Sequence, residues 1–100
     1  MASVKVLVGK IIIETICFDN VEKALEKAIE LIMQDLRPFI DSEGCLQTFH
    51  DGQIWNEYPQ DIIDLAGGFG TDGQYQALLA IQQEFNNSRR KGTPVEVLVS

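Results

Sequence analysis

Hydrophobic positions change period several times along the chain, and each change marks an element. Residues 4–18 are rich in β-branched side chains and read as strand. Val4, Val6 and Val8 share one face, the alternation breaks at Gly9-Lys10, and Ile11 and Ile13 then take over. A two-residue Gly-Lys turn explains the break, because glycine in the first turn position suits a type II′ hairpin. That register sets Val8 opposite Ile11, Val6 opposite Ile13 and Lys5 opposite Glu14. A single long strand with a bulge at Gly9 is the rival arrangement.

From residue 20 the period becomes helical. Asp19 with Glu22 resembles a capping box, and Val21, Ala24, Leu25, Ala28, Ile29, Leu31, Ile32 and Leu36 follow the helical period over about 20–36. Arg37-Pro38 ends it. Glu22, Glu26 and Glu30 line the opposite face, one turn apart. A second hairpin follows at 45–58, turning at Asp51-Gly52, a favoured type I′ pair. It places Phe49 opposite Ile54 on one face and gathers Leu46, Thr48, His50, Trp55 and Glu57 on the other. A helical turn at 62–66, a glycine-rich loop at 67–73 and a helix over about 73–90 come next, with Thr71 and Gln74 matching a capping box. Val95 to Val99 closes the chain as strand.

The expected fold is therefore α+β: a two-layer sandwich with two amphipathic helices on a mainly antiparallel sheet of four to five strands. If residues 4–18 are one strand, the order is βαββαβ, that of a ferredoxin-like sandwich. One hundred residues without repeat or linker make one domain.

Fifteen acidic against eight basic side chains give a net charge of −7, which repels nucleic-acid phosphates and argues against DNA or RNA as partner. The basic run Arg89-Arg90-Lys91 is accounted for at a helix C-terminus, where cations complement the dipole. Lys10 and Glu14 interrupt the apolar N-terminal stretch, so neither a signal sequence nor a membrane span is expected there. The two cysteines, Cys17 and Cys45, read as free thiols, and a cytoplasmic setting fits them. The thiols and the lone histidine have no zinc-type spacing, and no cofactor is expected.

Gly68, Gly70 and Gly73 form a literal G-x-G-x-x-G, a pattern that can cradle phosphate at a helix start. Its context is wrong: no repeated strand-helix-strand unit surrounds it, and Asp72 would repel an anion. Glycines ending one helix and opening the next explain the run. His50 is the only side chain whose ordinary pKa suits proton transfer near neutrality, and Trp55 shares its face. A small enzyme or small-molecule site around His50 and Trp55 is thus the alternative function, but no catalytic constellation accompanies it.

One layer of helices covers one face of a sheet, leaving the outward-facing Leu7, Ile12, Leu46 and Trp55 in need of a neighbour. The expectation is an acidic interaction module acting as a homodimer. Those four residues, together with Glu22, Glu26 and Glu30, are the candidate contacts, and a basic protein or small ligand is a further possible partner.

Overall fold

The structure, a computed structural model, describes residues 1–100. Strands β1 (Ala2–Val8) and β2 (Ile11–Phe18) form the first hairpin. Gly9 and Lys10 both have positive φ, 59° and 71°, as a type I′ turn requires, so the expected type II′ turn is corrected. Val8 pairs with Ile11 and Leu7 with Ile12, but a bulge between Val6 and Leu7 then slips the register. Val6 lies opposite Glu14 and Lys5 opposite Thr15, in place of the expected Val6–Ile13 and Lys5–Glu14 pairs. The extra residue in β2 is Ile13, and the strict alternation assumed from sequence has no room for it.

Helix α1 (Val21–Leu36) begins one residue later than the carboxylate signal suggests. Asn20 in extended backbone is its N-cap, accepting a hydrogen bond from the Lys23 N–H at 2.9 Å, and Asp19 stands outside. Ala24, Leu25, Ala28, Ile32 and Leu36 of the expected apolar stripe are buried, but Val21 in the first turn is exposed.

The second hairpin, β3 (Leu46–His50) and β4 (Gln53–Glu57), has the expected register, with Phe49 opposite Ile54 and Thr48 opposite Trp55. Positive φ at Asp51 and Gly52 marks the type I′ turn. Helix α2 (Pro59–Ala66) packs along helix α3 (Gly70–Asn86), which starts before and stops short of the expected 73–90 span. The Thr71–Gln74 capping box does not form: Phe69 is the N-cap, and the Thr71 hydroxyl donates to the Glu22 carboxylate of α1. Two helices meeting within a few residues leave little space at their junction. A Cβ on Gly73 would stand 2.6 Å from Phe69 Cβ and 3.2 Å from the Ala66 carbonyl oxygen, and Gly70 has φ 81°. The glycine run therefore serves the α2–α3 corner, and what precedes it is a helix, not the strand of a dinucleotide site.

Strand β5 (Val95–Val99) joins the far side of β1, giving an antiparallel sheet of order β2-β1-β5, while β3 and β4 form a separate two-stranded sheet. The fold is α+β as expected, but the single sheet of four to five strands and the ferredoxin-like order are not what forms. The N-terminal segment is a hairpin, and the second hairpin packs on α3 instead of entering the first sheet. Ala2, Val4 and Val97 meet both long helices, Leu46 and Ile63 in one core. Burying Ile32, Leu36 or Leu78 in it contributes about 1.5–3 kcal/mol each.

One ion pair ties the ends of the long helices. The carboxylate of Asp35 accepts from Arg89 Nη2 at 2.7 Å and from Gln82 Nε2 at 2.8 Å. The guanidinium lies over the Phe85 ring, 4.4 Å from its centroid.

Candidate functional site

The three-stranded sheet has two edges, and they are treated differently. Ser3 and Ser100 exchange backbone hydrogen bonds of 2.8 and 2.9 Å, so the odd-numbered residues of β1 bond to β5 and the even-numbered ones to β2. The outward peptide groups of β5 then belong to Val95, Val97 and Val99. Helix α3 supplies partners for most of them. The Asn86 side-chain amide donates to the Val95 carbonyl at 2.8 Å and accepts from its N–H at 3.1 Å. The Tyr75 hydroxyl donates to the Val97 carbonyl at 2.8 Å and accepts from the Val99 N–H at 3.3 Å. Burial, opposed by the Val99 hydrogen bond and aided by the negative charge of Asp72, raises the Tyr75 pKa above its ordinary value.

No such cover exists over β2. Glu14, Ile16 and Phe18 face β1, and the same alternation turns the N–H and C=O of Thr15 and Cys17 away from the sheet. Neither residue receives a hydrogen bond from another element. Beside these free groups stand Ile11, Ile12 and Ile13, 69%, 52% and 61% exposed. The sheet face away from the helices is also open. It carries Lys5 and Leu7 of β1, Ile12, Thr15 and Cys17 of β2, and Glu96 and Leu98 of β5. Helix α2, which could have crossed this face, lies instead with Ile63 in the core. A row of free peptide groups flanked by isoleucines is suited to accept another strand.

Two of the candidate contacts, Leu7 and Ile12, are thus brought together as a cross-strand pair on the open face. Leu46 goes elsewhere: it is buried in the domain's own core, so its assignment as a surface contact is corrected. The sequence put Leu46 on the right hairpin face but could not show that α3 covers that face. Trp55 remains partly exposed on the second hairpin, away from β2. Glu22, Glu26 and Glu30 are exposed on α1, but their stripe is interleaved with Lys23 and Lys27. Lys27 reaches Glu30 at 3.5 Å, and Glu22 accepts from Thr71, so the face is less one-signed than acidic spacing alone implied.

His50 stacks on Trp55 with ring centroids 4.8 Å apart and planes inclined by 12°. Its Nδ1 lies 3.4 Å from Asp51 Oδ2 and 3.9 Å from Glu84 Oε2, and the Trp55 indole donates to the His50 carbonyl. The imidazole and indole form a surface shelf, and neither lines any of the four cavities in the molecule. At the other end of this hairpin, Tyr58 has its pKa raised, chiefly by the electrostatic effect of Cys45, then by desolvation, a hydrogen bond with Cys45, and the carboxylates of Glu43 and Asp41. Both cysteines are free. No three His, Cys, Asp or Glu side chains converge as a metal-ligand set. No helix is long and apolar enough to cross a membrane.

Ile11, Ile13, Thr15 and Cys17 were not among the candidates read from sequence. The signal that could have found them is the unbroken Ile11-Ile12-Ile13 run, too apolar for a solvated edge and too near a turn for a central strand. No family model matches the chain, and comparison with curated proteins and with solved structures finds no significant match.

Proposed function

We propose that this chain is a non-enzymatic interaction module that acts as a homodimer joined along the free edge of β2. The observation that carries the reading is the asymmetry of the two sheet edges: β5 is largely covered by Tyr75 and Asn86, whereas β2 is bare and flanked by three exposed isoleucines.

A second copy is the occupant that fits the strand itself. Antiparallel pairing about a two-fold axis through Thr15 sets each Thr15 peptide against its copy and closes after two subunits, leaving no free β2 edge to propagate. That axis also places Glu14 beside Ile16 of the second copy, so the two glutamates are not directly opposed. The bulge at Ile13 restricts the regular pairing to the segment beyond it, which limits the registers available. The result is a continuous six-stranded sheet whose shared open face gathers Leu7, Ile12 and Leu98 from both copies.

The test is the solution mass together with a directed cross-link. Sedimentation should give a dimer, and Ile13→Lys, a change at an exposed position, should give a folded monomer. In a Cys17→Ser background, Thr15→Cys should oxidise to a covalent dimer, because directly opposed residues of a hydrogen-bonded antiparallel pair lie about 5.5 Å apart at Cα, within disulfide reach. A strictly monomeric wild-type chain at high concentration overturns the proposal. A dimer that survives Ile13→Lys and fails to cross-link places the interface elsewhere and refutes the β2 edge.

A further inference from the structure

The geometry points to a second site, independent of the β2 edge: a phosphoryl-binding cavity between the β1–β2 turn and the segment after α3, taking the phosphate group of a small molecule. The cavity measures about 370 Å³ and is walled by Gly9, Lys10, Arg89, Arg90, Lys91 and Gly92, with no carboxylate side chain in its lining. Four of the chain's eight basic residues thus surround one hollow in a protein of net charge −7.

Helix-dipole compensation does not account for the cluster. It explains cations that follow α3, but Lys10 comes from a different element and has no carboxylate within ion-pair distance. Arg90 and Lys91 have none either. Only Arg89 is neutralised, by Asp35 at 2.7 Å. Three uncompensated cations around one hollow repel each other, and a multiply charged anion between them removes that cost.

Two backbone observations support a built site. First, the walls are locked together. Gly9 N–H donates to the Pro94 carbonyl at 2.9 Å, and a Cβ at Gly9 would stand 2.6 Å from the Gly92 carbonyl oxygen, so the two loops touch at backbone distance. Second, Lys10 holds φ 71°, a left-handed conformation that glycine or asparagine would adopt more easily in this turn. The type I′ turn requires this conformation and so fixes the Lys10 backbone at the wall of the hollow. Arg89 anchors the segment that forms one wall: its side chain is only 8% exposed, held by Asp35 and by the Thr93 carbonyl.

Phosphate suits this array because it offers several acceptor oxygens and up to two negative charges to guanidinium and ammonium donors. The volume leaves space for a small ester beyond the phosphate itself. The hollow is also far in sequence from the glycine run at 68–73, so the two phosphate readings are separable.

The experiment is an NMR titration of the isotopically labelled chain with inorganic phosphate and with a hexose phosphate, against chloride at equal ionic strength. Residues 9–10 and 89–92 should shift with phosphate and not with chloride, while 68–74 stay unmoved. Tighter binding of the hexose phosphate assigns the site to an ester, and equal binding assigns it to free phosphate. Lys10→Gly relieves the left-handed strain, so it should raise the denaturation midpoint while weakening phosphate binding about tenfold, as should Lys91→Gln at an exposed position. Shifts reproduced by chloride, shifts confined to 68–74, or unchanged affinity in both variants would overturn the site. The Ile13→Lys variant should bind phosphate like the parent, which separates this result from the fate of the dimer.

Discussion

Tyr75 shows how much one atom can do in this domain. Its hydroxyl serves two outward peptide groups of β5 at once, while its ring sits in the core shared with Leu78 and Val97. Tyr75→Phe keeps the ring and removes the oxygen, leaving the Val97 carbonyl and the Val99 N–H without that partner. Loss of about 1–3 kcal/mol is expected in denaturant unfolding. The pH dependence has a definite sign. Because the folded-state pKa is raised, the unfolded chain loses this proton first; stability from Tyr75 is complete below about pH 10 and falls as pH rises through the folded value. The Phe variant should therefore show a shallower alkaline decline than the parent. Equal alkaline slopes would mean that the hydroxyl is not held as described.

At the scale of elements, the contrast between β2 and β5 is open to hydrogen exchange. The Val95 and Val99 amides bond to α3 side chains, so they should be protected whatever the concentration. The Thr15 and Cys17 amides have no partner within the chain and should exchange fast in dilute protein. Slowing of these two amides with rising concentration, and not of Val95 and Val99, is the expected signature of pairing through β2. Fast exchange at Thr15 and Cys17 at every concentration would leave that edge unpaired in solution. Helix α3 ends at Asn86, whose side chain bonds to β5, and the chain turns through 87–94 to return as that strand.

For the whole molecule, charge sets the conditions under which two copies can meet. Each carries −7, so the approach is opposed by a long-range repulsion that the apolar edge must overcome. Raising ionic strength from about 0.01 M to about 0.15 M shortens the Debye length from roughly 30 Å to roughly 8 Å. Dimerisation measured by sedimentation should tighten over that range, whereas phosphate binding at the cationic cavity should weaken. A dimer that loosens with salt would point to an interface held by opposite charges instead of isoleucines. The opposite salt responses arise because half of the basic residues are gathered at one end, leaving the acidic surplus over the rest.

Local signals determined the elements. The i, i+3, i+4 spacing of Ala24, Leu25 and Ala28 specifies α1 without reference to anything distant, and Asp51-Gly52 specifies the second hairpin, because both depend on near-neighbour sterics and hydrogen bonds. The class of the fold, α+β with antiparallel strands, follows from those elements. Only the tertiary structure decided that β3 and β4 stand apart from the first sheet, that Leu46 is core and that β2 is left bare. It also decided that Lys10 lines the same hollow as Arg90 and Lys91, some eighty residues further along the chain. Which face of a hairpin is covered, and which edge is sealed, depends on where remote helices come to rest, and neither hydrophobic period nor charge spacing carries that information.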